Sequence, residues 1–486
     1  VSALVTADHL TYIGPPTVTA VSPGLGRIAG GTQVEVTGTD FNAATSVTFG
    51  GVPGTGLTVN SPTDLTVTSP AHPRGDVDVQ VTSPSGTSAA SASDTFSFVP
   101  PPTVIFVQPS SGLVSGGTDV DIFTSAFPGE QVTVTFDGVV VPTHTEGTSS
   151  DTFVIAPPHS AGPVDIQVTT PEGTSPLSSD DRFTYRPAPT VTFGPPVTID
   201  PAQPNDTNEL DAVSCPNALF CAAVDAAGQA FTFDGTNWSP ATTVDPTSAL
   251  RDVSCTSETF CMAIDINGHA YTFDGTAWSG PTTIITSALS VSCATDAFCV
   301  VVSGSGPDAE VFNGTSWTTT PPLPNDGPQI GPFFDISCPT VTFCAAVFGN
   351  GDTATFDGSE WSAASTIGGS AGAPPTALQA ISCSSPSFCV ALDGSSDAFT
   401  FDGSTWTIHQ DELDQSQPGF EPLDVSCTSS SFCVAANQYG QVVEYDGTHW
   451  SMPVTVGTSA GWTRVSCWTD AKCVVVSTPG LASVSQ

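Results

Sequence analysis

The sequence predicts an all-β protein: β-sandwiches in tandem, followed by a disulfide-stapled seven-bladed β-propeller closed by its own N-terminal strand. Three observations carry this. A long repeat of 86–87 residues fills the first part of the chain. A short repeat of 38–45 residues fills the rest. All 14 cysteines fall in the short repeat, in seven C-x5-C pairs. Gly and Pro are abundant (45 and 43 of 486 residues), which favours strands joined by turns over helices.

The long repeat is read first. Pro16-Thr17-Val18 returns at Pro102-Thr103-Val104 and at Pro189-Thr190-Val191, and Gly30-Gly31-Thr32 at Gly116-Gly117-Thr118. Val47-Thr48-Phe49-Gly50-Gly51-Val52 returns as Val134-Thr135-Phe136-Asp137-Gly138-Val139. The run Asp76 to Thr82 alternates apolar and polar residues and returns at Pro163 to Thr169, the period-2 mark of a half-buried strand. About seven such runs per unit, with turn residues between them, predict a β-sandwich.

The pattern P-x-V-x-x-V-x-P, then G-G-T-x-V-x-V-x-G over Pro16 to Gly38, then V-x-F-G-G-V and the terminal strand Asp94-Thr95-Phe96-Ser97-Phe98, resembles the IPT/TIG immunoglobulin-like domain. The resemblance implies sandwiches at 15–100 and 101–187. The second copy departs from the first where Phe123 is expected in place of Gly38, which loosens one turn. Asp8-His9-Leu10-Thr11-Tyr12 matches the terminal strand again, so residues 1–14 read as the last strand of a preceding copy in a longer array. Donation of that strand to a neighbour is the competing reading, but both sandwiches here own theirs.

The short repeat, over residues 188–486, has the consensus V-S-C-x5-C-x-A-V-D-x-x-G-x-A-x-x-F-D-G-T-x-W-S. Ser precedes the first Cys in all seven copies, from Ser214 to Ser466, and Phe precedes the second in six, Lys472 replacing it in the last. Four strands per 40-odd residues is the mark of a propeller blade. The Asp-Gly or Asn-Gly at Asp234, Asp274, Asn313, Asp357, Asp402 and Asp446 predicts tight hairpins with positive φ at both turn residues. The seventh copy stops early, and Phe193 to Ile199 aligns with Trp238 to Val244. That segment is therefore expected to supply the missing outer strand and close the ring, which removes sheet edges.

The cysteines pair by spacing as Cys215 with Cys221, Cys255 with Cys261, Cys293 with Cys299, Cys338 with Cys344, Cys383 with Cys389, Cys427 with Cys433, and Cys467 with Cys473. Zinc sites use shorter spacings in two arms. An even count at one repeated spacing reads as disulfides in an oxidising compartment. Each closes a small loop, worth about 2 kcal/mol in the chain-entropy model.

Charge narrows the function. Asp and Glu number 47 against 7 Lys and Arg, for a net charge of −40. Nucleic-acid binding needs clustered bases and is excluded as a class. No run of about 18 apolar residues exists, so no membrane insertion is expected in this segment. The scattered bases predict that no face gathers a cationic patch. A low-lysine, acid-rich surface is read as fitting a harsh, acidic exterior.

Chemical constellations are few. The F-D-G-T-x-W turn resembles the Asp-box of sialidase-type propellers, which stabilises turns; the three arginines of a sialidase are not there. Gly-x-Ser-x-Gly at 368–372 and 457–461 lacks the strand–turn–helix context of a nucleophile elbow. His9, His72, His144, His159, His269, His409 and His449 are scattered singly. His409 stands beside the acidic run Asp411, Glu412 and Asp414, read as a solvated loop. Asp225 to Gly228 and Asp265 to Gly268 hint at calcium loops but lack the remaining carboxylates and read as hairpin turns. Sequons occur at Asn205, Asn237 and Asn313. No catalytic residue, metal ligand or cofactor is assigned.

One set stands apart. Asp252, Asp335, Asp424 and Arg464 lie three residues before the first Cys of their copies, sharing a face with the repeated Ser. They form a candidate channel-lining ring for a cation or polyol, or a hydrated mouth. The whole reads as an extracellular, cell-surface structural or adhesive protein: a stalk of sandwiches presenting a propeller to a glycan or protein. The alternatives are a subunit of an extracellular fibre or surface layer, binding copies of itself, and a secreted propeller glycosidase or lyase.

Overall fold

Period-2 alternation becomes two-layer packing. In the computed structural model, residues 14–125, 132–144, 152–201, 209–324, 331–367, 376–409, 413, 420–456 and 462–486 are described. The match at residues 8–12, the Asn205 sequon, both Gly-x-Ser-x-Gly runs and Asp411, Glu412 and Asp414 lie outside them. The strand Gln33–Thr39 alternates exposed and buried along its length, and Val34 and Val36 are fully buried. It sits in a four-stranded sheet with Thr17–Ser22, Asp64–Thr68 and Thr55–Ser61. The facing six-stranded sheet carries Thr95–Val99 between Leu25–Arg27 and Gly75–Ser83. Between them Phe49, Phe96 and Phe98 pack edge to face at 5.0–6.2 Å, a geometry that favours aromatic cores. The second sandwich repeats the same sheet orders.

The Gly50-Gly51 and Asp137-Gly138 turns are two-residue hairpins with both central residues at positive φ (55° and 87°, 44° and 79°), as strand twist requires. Register corrects one sequence alignment. Ala20 faces Thr37 in the first copy and Phe106 faces Phe123 in the second, while Val18 faces Gly38 and Val104 faces Thr124. Phe123 therefore replaces Thr37, and it is Thr124 that stands where Gly38 would be.

The described chain divides into two compact units, one built chiefly from residues up to 184 and one from Tyr185–Gln486 with two short stretches of the second sandwich. No helix among the described residues is long and apolar enough to cross a membrane.

The propeller has seven four-stranded antiparallel sheets. The first comprises Leu210–Asn217, Phe220–Asp225, Gln229–Phe233 and Thr242–Thr243. In each blade the second strand is almost wholly buried, because it packs against neighbouring blades. The seventh blade draws Thr463–Thr469, Lys472–Ser477 and Leu481–Val484 from the end of the chain. Its outer strand is Val197–Thr198, pairing with Ala482 and Leu481. The ring is closed as the sequence predicts.

Each repeated residue has a packing reason. All seven Cys pairs form disulfides between the first two strands of a blade, with Cα separations of 3.9–4.1 Å. Cys215 bonds Cys221, Cys255 bonds Cys261, Cys293 bonds Cys299 and Cys338 bonds Cys344. Cys383 bonds Cys389, Cys427 bonds Cys433 and Cys467 bonds Cys473, each the partner that spacing predicts. The second cysteine of every pair, on the buried second strand, is fully buried: Cys221, Cys261, Cys299, Cys344, Cys389, Cys433 and Cys473. The Phe before the second Cys stacks on the aromatic residue of the next blade's F-D-G turn, as in Phe220–Phe273 (5.9 Å) and Phe343–Phe401 (6.0 Å). That same residue holds its own blade's Trp, as in Phe356–Trp361 at 5.0 Å.

The F-D-G-T-x-W turns depart from the predicted geometry. Only the glycine takes positive φ, at 87° for Gly235 and 92° for Gly275, and the aspartate does not. The loop is longer, with Asp274 N–H donating to Ala277 O, and the Asp274 carboxylate accepts from Thr276 N, Ala277 N and Thr276 Oγ1 at 2.7–2.9 Å. The side chain, not backbone handedness, makes the turn. These bonds hold the Asp274 and Asp357 carboxyls below the usual range. Asp225 and Asp265 likewise fold hairpin turns, their Oδ1 atoms accepting from the amides two and four residues on.

Candidate functional site

The inner strands of the seven blades line the channel, and hydrogen bonds tie each to the next. The Ser before each first Cys accepts the N–H of the first Cys in the following blade, at 2.9–3.0 Å: Ser214 from Cys255, Ser254 from Cys293, Ser292 from Cys338, Ser337 from Cys383, Ser382 from Cys427 and Ser426 from Cys467. Ser466 accepts from Cys215 and completes the circle. The invariance of Ser within the repeat is thus a seven-membered latch.

One step toward the mouth, the acidic ring works the same way. Asp252 Oδ2 accepts from Val291 N, Asp335 Oδ2 from Ile381 N and Asp424 Oδ2 from Val465 N, each reaching the next blade at 2.7–2.8 Å. Their Oδ1 atoms accept the N–H of the residue that follows each in sequence. Ser290 Oγ also donates to Asp335. Arg464 spans both neighbours, donating from Nε to Asp211 O (2.8 Å) and from Nη1 to Leu423 O (3.1 Å). Burial pushes the Asp252 and Asp424 carboxyls up to about 7, and raises Asp335 too. The structure therefore places Asp252, Asp335, Asp424 and Arg464 together on the channel wall, but commits them to backbone partners.

The residues that face the mouth without such commitments were not legible by alternation. In six blades the inner strand carries a one-residue bulge just before the ring position: Asp211, Arg251, Leu289, Phe334, Gln379 and Leu423 are the extra residues. A bulge re-aims a side chain. All six line one cavity of about 450 Å³, together with the ring residues and Trp462, which precedes the seventh inner strand, Thr463–Thr469, where this bulge is missing. Phe334 is 39% and Trp462 44% exposed. Room for Phe334 comes from Gly349, where any Cβ would meet its ring at 2.8 Å.

Charge of both signs concentrates here. Arg251 and Arg464, the two arginines of residues 188–486, converge on this cavity. They flank Asp211, with Arg251 Nη1 at 3.7 Å from Asp211 Oδ1. Burial pushes Asp211 up to about 6 in spite of both guanidiniums. Ring closure brings the ends of the propeller sequence side by side, so two of the scattered arginines meet in a cavity that also holds Asp211, Asp252, Asp335 and Asp424, and no cationic patch results. Elsewhere, Asp245, Asp265 and His269 group their ligand atoms within 4.8 Å. Tyr271 and backbone amides already occupy those carboxylates.

Comparison with known proteins bears on the fold. The IPT/TIG domain family matches residues 16–98 and 102–185. No curated protein matches the chain in sequence. Among solved structures, a streptogramin B lyase is similar at TM-score 0.50 and 7% identity, over 60% of this chain and 97% of that one. YCF48 from Cyanidioschyzon merolae is similar at TM-score 0.47 and 13% identity, over 60% and 98%. Identities this low speak to fold alone. Residues 16–98 and 102–185 are tandem IPT/TIG domains, joined in one chain to a disulfide-stapled seven-bladed β-propeller.

Proposed function

We propose that this is an extracellular, cell-surface binding protein, in which the IPT/TIG sandwiches carry the propeller and the mouth of its channel contacts a glycan or protein. One observation carries the reading. Seven repeats agree at the Ser latch and the disulfides, yet in the six that carry the bulge its position holds Asp, Arg, Leu, Phe, Gln and Leu in turn. A scaffold that repeats its frame and varies its rim has the form of a site grafted on a fold. A concave cavity of this size with a few polar groups suits a ligand. Seven disulfides favour an oxidising exterior. Binding is preferred to catalysis because the ring carboxylates already accept backbone N–H groups. The test is the full chain on glycan and protein arrays beside Leu289→Trp, which fills the mouth. Loss of array binding with unchanged folding supports the reading; binding indifferent to the substitution contradicts it.

A second reading, a fibre or surface-layer subunit, draws on the second sandwich. Its outer sheet face bears Phe106 (42% exposed), Phe123 and Ile155 (43%), where the first bears Ala20, Thr37 and Thr68. Sedimentation of the full chain and of Phe106→Ser tests it: concentration-dependent assembly lost in the variant is the expected result.

A further inference from the structure

Asp211 is the residue at the mouth whose chemistry is incomplete. Its side chain is only 9% exposed, yet among the described residues its carboxylate accepts no hydrogen bond. Its nearest cationic neighbour, Arg251 Nη1, stands at 3.7 Å, beyond hydrogen-bond reach. Arg251 is itself without a hydrogen bond among those residues, and its side chain is 35% exposed to the cavity. A mostly buried carboxylate that lines a cavity and receives no hydrogen bond from the protein has acceptor capacity left for whatever enters that cavity. Contrast the ring aspartates, each of which accepts at both oxygens.

The signs of the pair select the ligand. An anion drawn to Arg251 meets Asp211, and a cation drawn to Asp211 meets Arg251. A neutral group offering a donor and an acceptor side by side satisfies both. Beside the pair, Arg464 bonds Asp211 O at 2.8 Å and lies 5.5 Å from the centroid of the Trp462 ring, so an exposed aromatic belongs to the same corner. Adjacent hydroxyls on a ring with an apolar face meet all three demands.

Resting on the reading of the mouth as a binding site, we propose that it takes a neutral pyranose: one hydroxyl donates to Asp211, its neighbour accepts from Arg251, and the sugar face lies on Trp462. Leu289 and Phe334 wall the remainder.

The experiment titrates the full chain with the methyl pyranosides of glucose, mannose and galactose, and in parallel with glucuronate and methylammonium. Tryptophan fluorescence and calorimetry report binding, and circular dichroism reports folding. At least one neutral glycoside is expected to bind, with Asp211→Asn and Arg251→Gln each weakening it about ten- to a hundredfold, as for hydrogen bonds to charged groups. Binding of glucuronate or methylammonium alone, no binding of any probe up to about 10 mM, or neutral binding unchanged in both folded variants overturns the proposal. The Leu289→Trp variant separates the two levels. A charged probe that it excludes sinks only the sugar assignment, whereas array binding that it leaves intact sinks the reading of the mouth as the site.

Discussion

The frame and the rim of the propeller lie within three residues of each other on the same strands and obey opposite rules. In the frame, every Ser and ring Asp has a partner in the next blade. At the rim, Asp211 and Arg251 face each other across 3.7 Å with no hydrogen bond. The latch Ser and the disulfides repeat because the seven interfaces repeat. Rim residues differ because a ligand need not have seven-fold symmetry. Substitutions should therefore sort cleanly into those that cost stability and those that cost binding.

The largest expected effect is on pH dependence, and it belongs to the frame. Asp252 and Asp424 are raised to about 7 when folded, from the ordinary 3.8. Between those values the folded chain binds more protons than the unfolded one, so stability is full below 3.8 and is lost as pH rises through 7. At roughly 1.4 kcal/mol per pKa unit, discounted for partial exposure, the two supply a few kcal/mol. The turn aspartates act oppositely. Lowered below 3.8, Asp274 and Asp357 weaken the fold only as pH falls beneath that value. The propeller melting temperature should rise from pH 8 to pH 5; a steady fall over that range breaks the account and the acid-exterior reading with it.

Next comes Asp424→Ala, which strands the N–H groups of Val425 and Val465. Denaturant unfolding should show a loss of about 2–4 kcal/mol. Removing Cys467 and Cys473 together, in the blade closed from both ends of the propeller sequence, should cost about 2 kcal/mol by the same measurement. Ser466→Ala, which frees one link of the latch, should cost about 1 kcal/mol. Smallest is Leu289→Ala at the half-buried rim, expected within about 0.5 kcal/mol of the parent. A rim substitution as costly as Asp424→Ala would erase the distinction.

What could be read from the sequence follows from what repeats. Cys spacing and the Phe193 to Ile199 alignment gave blade number and closure, because local pattern and chain order determine them. Alternation put Asp252, Asp335, Asp424 and Arg464 on the channel. Their bonding was not legible, since each partner belongs to another blade. Asp211, Arg251 and Gln379 were missed for a sharper reason. By strict alternation they share the parity of the buried Cys, and only the bulge turns them outward. Charged residues at a core parity were the available signal. Trp462 carried no signal, because it stands just before the seventh inner strand, which begins at Thr463 and lacks the mouth-side bulge that its six counterparts share.

The central claim is that the rim sacrifices internal pairing for binding. The most direct test measures Asp211→Asn in two ways, by thermal unfolding of the full chain and by affinity for whichever glycoside the parent binds. The account predicts a melting temperature equal to or above that of the parent, since a largely buried carboxylate that accepts no hydrogen bond is removed, with affinity down at least about tenfold. A lowered melting temperature with unchanged affinity would place Asp211 in the frame and contradict it.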